Sequence, residues 1–431
     1  MRSIVIPRRY RAAAVRSVVM PAKRRAYRAL RGVLIRYVRA EPREDAGAGR
    51  RVTILIASAW GMGGTIRAAH NQAKYLAAHG YDVELLSVKR SVEEPFFGAF
   101  PPGVRASALD DRRPGAVPRP LRPLRKMLRR VPSVLMHRAD RRERMWNLWT
   151  DIKVVHALRG RTGFLVATRP GLNILAADLS PPGMTVVGLE QMNLGHHAKA
   201  LRKGMARSYG GLDALVALTE QDRQAYESML DGRVRLEVIP NTVHDVSGPA
   251  ADLGSRTILA AGRLVRQKGF DMLIDAFAPV HAADPDWRLK ICGGGELKDV
   301  LAAQVAERGL GRAVELAGPC ADLPGEIERA SIYALSSRFE GFPLVLLEAM
   351  GKGMAVVAFD CPTGPRDIIE DRVNGVLVPP RDVDAFAAGL RAMIEDEELR
   401  RRCGPAATET AKQYTIDAIG PRWEALFRDL A

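Results

Sequence analysis

Thr257-Ile258-Leu259-Ala260-Ala261-Gly262-Arg263-Leu264-Val265-Arg266-Gln267-Lys268-Gly269-Phe270 decides the fold, because a strand–turn–helix pattern starts here for the second time in the chain. Thr257–Ala261 is a short apolar run that opens on β-branched residues, as a buried strand does. Gly262 to Gly269 is a turn of glycines and cations. Asp271–Ala283 then repeats apolar residues at helical spacing, and Arg288–Cys292 returns to a strand. Further strands are expected at Val314–Leu316, Ile332–Leu335, Ala355–Phe359 and Gly375–Val378, with helices between them.

Upstream lies a complete first series. Val52–Ala59 is an apolar run ending in Trp60-Gly61-Met62-Gly63-Gly64. Ile66, Ala69, Ala73, Leu76 and Ala77 follow at helical spacing, and Val83–Val88 is the next strand. Strand, glycine turn, helix, strand is the opening of a parallel sheet. Strands resume at Phe164–Thr168, Thr185–Leu189, Ala214–Ala217 and Leu236–Ile239, and Pro240-Asn241 closes the set. Two such series predict an α/β protein of two Rossmann-like domains with a cleft between them. The expected division is a basic extension over 1–50, a first domain over 51–241, a second over 242–415, and a final helix over 416–431 packing back on the first. Glu41 to Gly49 and Val246 to Ser255 read as linkers.

The net charge of +16 is unevenly placed. Residues 1–50 hold 14 Lys/Arg against 3 acids, and residues 112–144 hold 12 against 2, so the remainder is net acidic. Charge of this kind favours an anionic partner. From Lys23 to Arg39, Tyr27, Leu30, Leu34, Tyr37 and Val38 recur at helical spacing among arginines, which predicts a basic amphipathic helix whose stripe suits an anionic membrane surface. Prolines in 112–144 predict a loop or broken helix there. No apolar run is long enough to span a bilayer, and early arginines break any signal-peptide core. The four cysteines, at 292, 320, 361 and 403, form no Cys-x-x-Cys pair, so a reduced cytoplasmic chain without disulfides is expected.

Ligands of open α/β sheets bind beyond the carboxyl ends of the strands, and that rule picks out four loops. Gly61-Met62-Gly63-Gly64 precedes a helix whose unpaired N–H groups suit an anion. Arg263 and Lys268 could neutralise a diphosphate and the charge that grows as it leaves. Glu340 and Glu348 flank Pro343, which suits the first turn of a helix; their separation points to two contacts along one long ligand rather than to an acid/base pair. Thr363 and Gly364, in the loop Asp360 to Gly364, and Gly293-Gly294-Gly295 complete the edge. Asp284-Pro285-Asp286 precedes a strand, at the wrong edge for a metal site, and reads as a turn. His196-His197 lack spaced partners for zinc.

These residues resemble glycosyltransferase family 4, retaining enzymes of the GT-B fold. The likeness runs through Gly262-Arg263-Leu264, Gln267-Lys268-Gly269, Gly293-Gly294-Gly295-Glu296, the Glu340…Glu348 pair and Asn374-Gly375-Val376-Leu377-Val378. Asp360-Cys361-Pro362-Thr363-Gly364-Pro365 is similar to the bacterial branch that builds surface polysaccharides and lipid-linked glycans. The resemblance implies that Arg263 and Lys268 hold the diphosphate of a UDP-sugar, that Glu348 binds its ribose, that Glu340 binds its sugar, and that Gly63 and Gly64 approach the phosphate. It implies a nucleotide-sugar co-substrate, no further cofactor, no metal and no nucleic acid. In many relatives a His follows the strand ending here at Leu189. This chain has Glu190-Gln191-Met192-Asn193, so Gln191 stands in its place, and Glu190 or His196 could serve instead. A nucleotide-sugar epimerase on the same fold and a non-catalytic polyanion binder are the competing readings.

Overall fold

The computed structural model describes residues 25–40, 48–140, 145–243 and 248–431. The basic residues before position 25, the linker over 41–47, residues 141–144 of the second basic block and the start of the second linker lie outside the described residues.

In chain order, the first half contains helix α1 (25–39), β1 (Arg51–Ile56), α2 (Gly64–Ala78), β2 (Asp82–Arg90), β3 (Val104–Asp111), α3 (Arg122–Leu128), α4 (Leu148–Leu158), β4 (Gly163–Ala167), α5 (Pro170–Leu179), β5 (Met184–Leu189), α6 (Lys199–Ser208), β6 (Ala214–Ala217), α7 (Glu220–Leu230) and β7 (Arg235–Val238). The second contains β8 (Thr257–Ala261), α8 (Phe270–Ala283), β9 (Arg288–Cys292), α9 (Lys298–Glu307), β10 (Val314–Gly318), α10 (Leu323–Glu328), β11 (Ile332–Leu335), α11 (Leu344–Gly351), β12 (Ala355–Phe359), α12 (Pro365–Ile368), β13 (Val376–Val378), α13 (Val383–Glu395), α14 (Glu397–Lys412) and α15 (Ile416–Leu430).

The strands form two sheets, ordered β3-β2-β1-β4-β5-β6-β7 and β10-β9-β8-β11-β12-β13. All of their pairings are parallel. Each order reverses direction once, between β1 and β4 and between β8 and β11. Those are the switch points where open α/β sheets make their ligand crevices. The loops rich in glycine and charge leave β1, β8 and β11, so topology alone gathers them.

The sheets are two separate α/β layers, but their cores meet. One apolar cluster runs from Ile54 and Val166 of the first sheet through Leu346 and Met350 of α11 to Trp423 and Phe427 of α15. α15 packs against α2, its Phe427 ring stacks on Phe164 at 4.3 Å, and Asp429 pairs with Arg235 at 2.9 Å. The final helix therefore belongs physically to the first domain.

Two sequence expectations are corrected. Cys292 and Cys320 are disulfide-bonded, with Cα atoms 5.6 Å apart. Spacing along the chain hid this, because Cys292 ends β9 and Cys320 lies two residues beyond the end of the adjacent β10. The second correction concerns α1, whose stripe turns only partly outward, with Tyr37 40% exposed. Val38 is fully buried and Leu34 nearly so, within a core that includes Leu55, Trp146 and Leu175. Arg31 pairs with Asp178, Arg39 donates to the Leu179 carbonyl at 3.0 Å, and the Arg159 guanidinium lies 4.2 Å from the Tyr37 ring centre. The amphipathic pattern is real, and the first domain covers its Leu34 and Val38. Among the described residues, no helix is long and apolar enough to cross a membrane.

Candidate functional site

The floor of the second domain's crevice is two loops knitted together. Gly269 closes the turn after β8 with φ 65°, and a Cβ there would lie 2.1 Å from the Ser336 carbonyl. Arg338 N–H donates to the Gln267 carbonyl at 2.8 Å, and the Gln267 amide donates to the Phe339 carbonyl at 3.1 Å. This lacing carries Lys268 to Glu340, with Nζ 2.6 Å from Oε1. Ser337 Oγ donates to the same carboxylate oxygen at 2.5 Å. Glu340 is only 6% exposed, so its charge rests on these partners rather than on water. Arg263, by contrast, is exposed and forms no ion pair among the described residues.

The triple glycine answers a packing demand. A Cβ on Gly293 would fall 1.7 Å from the Gly262 carbonyl, and one on Gly295 would fall 2.4 Å from the Leu264 carbonyl. Gly294 meets only the Pro319 ring, at 3.3 Å. Gly293 and Gly295 thus let two backbone loops touch, and Gly294 faces the least crowded space of the three.

The first domain closes over this floor. Gly63 caps α2 with φ 146°, and a Cβ on Gly64 would approach Leu344 of α11 at 3.8 Å. Three residues on, Arg67 Nη1 lies 3.0 Å from Glu348 Oε1, an ion pair across the cleft. Burial pushes the Glu348 carboxyl above its ordinary range, and the Arg67 charge opposes that rise. From the loop after β5, Asn193 donates to the Glu340 carbonyl at 3.1 Å, and the His196 ring lies 4.3 Å from that of Phe339. Gly341 meets the Gln191 backbone so closely that a Cβ would sit 2.0 Å from its carbonyl oxygen.

Thr363, Gly364, Glu190 and Gln191 occupy more structural places. Thr363 Oγ1 donates to Asp222 Oδ2 at 2.9 Å, joining the domains, and burial raises the Asp222 carboxyl. Gly364, with φ 104°, packs against Pro343. Glu190 is 2% exposed beneath the cleft and accepts from the Tyr209 hydroxyl and from Asn173 at 2.8 Å. His197 Nε2 is 3.6 Å from its other oxygen. Burial and the nearby Glu190 charge raise both the Tyr209 and Tyr226 hydroxyls. The Gln191 side chain is spent on Asn241, with paired amide contacts of 2.9 and 3.3 Å.

Lys268, Glu340, Glu348, Gly63, Gly64 and His196 therefore converge, with Arg263 at the rim. Sequence reasoning missed Arg67, Asn193, Asp222 and Ser337. The glycine turn before Arg67 and the stretch Glu190 to Asn193 marked two of these neighbourhoods, and nothing local marked Asp222 or Ser337. Asp284-Pro285-Asp286 is a turn at the far edge of the sheet, where Asp286 N–H donates to Asp284 at 3.2 Å. No group of three metal-ligating side chains occurs among the described residues. The crevice offers cations and helix N–H groups for an anion and carboxylates for hydroxyls, the combination a nucleotide diphosphate-sugar presents in one molecule.

Comparison with known proteins covers both halves. Residues 247–410 match the family model Glycosyl transferases group 1, and residues 62–245 match Glycosyltransferase Family 4. An exopolysaccharide phosphotransferase of Streptomyces coelicolor is 36% identical over 395 residues, 88% of this chain but 41% of that protein's length. The amylovoran biosynthesis glycosyltransferase AmsD of Erwinia amylovora is 27% identical over 383 residues, 86% of this chain and 98% of that one. Sucrose-phosphate synthase from Thermosynechococcus elongatus superposes with a TM-score of 0.70 at 19% identity, over 88% of this chain and 99% of that one. The Anabaena protein HepE, crystallised with UDP, gives 0.67 at 18% identity, over 88% and 100%. At these identities the two structures establish the GT-B fold.

Proposed function

The chain belongs to the glycosyltransferases of family 4 and group 1, matched from residue 62 to residue 410, and from that membership we propose that it transfers a hexose or N-acetylhexosamine from a UDP-sugar, with retention and without a metal, to a surface-glycan, lipid-linked or wall-polymer acceptor. The observation that carries this reading is the pairing of two carboxylates with two cations around one crevice, Glu340 with Lys268 and Glu348 with Arg67. The polysaccharide role of the Erwinia relative supports the acceptor class. The phosphotransfer named for the Streptomyces relative is not carried over, since the match spans 41% of that protein.

In this reading the diphosphate lies between the α2 N-terminus and the loop after β8. Lys268 has three donors, so it can keep Glu340 and still reach a phosphate oxygen. Arg263 at the rim meets the same group. Glu348 uses its oxygen not held by Arg67 to accept from the ribose hydroxyls, and Glu340 contacts the sugar. The acceptor hydroxyl attacks the anomeric carbon as the bond to the diphosphate breaks. The proton passes from the acceptor to the leaving phosphate oxygen on the same face, and the cations stabilise the charge that grows there. The acceptor is membrane-borne, and the enzyme works at the inner face of the plasma membrane.

The test is slow hydrolysis of a panel of nucleotide sugars by the purified protein, with the product anomer assigned by NMR. Turnover of a UDP-sugar to the retained anomer is expected. A protein that neither hydrolyses nor is thermally stabilised by any nucleotide sugar ends the reading. An epimerised sugar among the products favours the epimerase instead.

A further inference from the structure

We propose that α3 and the turn leading into it form the surface that docks the protein on anionic lipid. This rests on the reading of a membrane-borne acceptor and names the element that reaches it.

No acidic residue occurs from Arg112 to Arg130. Within that span, a 3-10 turn over Arg119–Leu121 runs into α3. Leu121, Leu124 and Met127 recur every three residues, and they are 42%, 43% and 57% exposed. A helix brings such residues to one side. Arg119, Arg122, Lys126, Arg129 and Arg130 are exposed around them. An apolar ridge set among cations is the pattern of a segment that inserts at a headgroup boundary. It is also unusual to leave three large apolar side chains in water on one short turn-and-helix segment.

The ridge is held firmly. Its inner side carries Arg125, which donates to Asp110 Oδ1 at 2.7 and 3.1 Å and to the Asp111 carbonyl at 2.7 Å. Asp110 is fully buried and also accepts from Arg112 at 2.7 Å. Leu128, beside it, packs on the core that holds Leu34 and Val38 of α1. Asp110 is the penultimate residue of β3, the edge strand of the first sheet, so the ridge sits at that sheet's carboxyl edge. The neighbouring loop, tied in by Arg113 and Glu93 at 3.5 Å, exposes Val92 and Phe96. Apolar exposure thus extends from α3 to that loop.

The contact thus falls on α3 rather than on α1, whose Leu34 and Val38 the first domain already covers. Charge complementarity selects the partner. Each basic residue at an anionic surface raises affinity about fivefold, and the exposed apolar ridge adds a term that a purely electrostatic partner would not use.

Co-sedimentation with phosphatidylserine-containing vesicles tests this, with phosphatidylcholine vesicles and duplex DNA as comparators and UDP-sugar hydrolysis in solution as a separate readout. The variants are Leu121→Ser/Leu124→Ser/Met127→Ser, Arg122→Gln/Lys126→Gln/Arg130→Gln, and Val33→Ser/Tyr37→Ser on α1. Wild type should bind only the anionic vesicles. The cation variant should lose on the order of a hundredfold in affinity, the ridge variant about tenfold or more, and the α1 variant little. Hydrolysis should stay unchanged in all three, because the altered side chains lie outside the crevice; Tm should hold in the first two and fall slightly in the third, where Tyr37 packs under the Arg159 guanidinium. If the ridge variant binds like wild type, or the α1 variant loses more, the assignment to α3 is wrong while the catalytic reading stands. If wild type prefers DNA, or ignores anionic vesicles at low salt, docking on lipid is overturned. Loss of hydrolysis in wild type itself would instead strike the transferase reading.

Discussion

Arg67 of the first domain and Glu348 of the second face each other across the cleft at 3.0 Å, one on α2 and the other on α11. Burial raises the Glu348 carboxyl and Arg67 restrains it. Only the ionised carboxylate accepts freely from ribose hydroxyls, so donor KM should rise as pH falls through the raised pKa. Arg67→Met removes the restraint, and that rise should begin at higher pH. The stability sign runs the same way. A carboxyl with a raised folded pKa is favoured when protonated, so the variant should be destabilised at neutral pH and recover on acidification. Donor KM against pH, with Tm alongside, checks both. Superimposable KM profiles would separate Arg67 from the donor site.

Glu340→Gln and Glu348→Gln should differ in kind. In the proposed reading Glu340 contacts the sugar where charge builds, so kcat should fall, and Glu348 holds the ribose, so donor KM should rise. The same change in both parameters for both variants would contradict the division.

Arg263→Ala and Lys268→Ala should each lower kcat/KM by about 10²–10³, but only the second should cost stability. Arg263 is exposed, whereas Lys268 neutralises a buried Glu340 that would keep only Ser337. Breaking a buried pair costs about 3–5 kcal/mol, which a thermal melt resolves easily. Near-wild-type turnover in either variant would remove that residue from the diphosphate site.

Turnover should survive excess chelator. In the proposed reading Lys268 and Arg263 meet the diphosphate and do the work of a metal. Complete loss of activity with chelator, restored by Mg²⁺ or Mn²⁺, would require a different site.

Gly341→Ala should slow turnover while both domains stay folded. Its Cβ would sit 2.0 Å from the Gln191 carbonyl, a backbone atom that cannot swing aside, so the cleft must open. Misplacement of about 1 Å at a reacting centre can cost on the order of a hundredfold. Unchanged kcat/KM would mean that the cleft works in a wider form.

The sequence carried the two α/β series, because strand and helix periodicities are local, and it carried the loops at the carboxyl edges, because topology places them. Lys268 and Glu340 could be ranked as site residues on that ground. Arg67 could not, since one arginine on a helix shows its role only when Glu348 of the other domain lies beside it. Cys292 and Cys320 were illegible for the same reason: strand adjacency, not spacing, brings them together. The strand Val104–Asp111 was also missed, its mix of Arg105, Ser107 and small residues suiting a half-exposed edge rather than an apolar run. For α1 the periodicity is legible in the sequence, but the part of its stripe that the first domain covers, Leu34 and Val38, is not. A helical stripe announces that one face will be covered, and says nothing about whether protein or lipid covers it.

The return of α15 to the first domain has a consequence for synthesis. Residues that stack on Phe164 and pair with Arg235 leave the ribosome only after the whole second domain has been made. The domain translated first is therefore completed last, and until then it presents the apolar seat of Trp423 and Phe427 to its surroundings. A nascent chain of this enzyme would be most exposed to chaperones and proteases in its first α/β domain, and a lesion in α15 would be felt as a defect there.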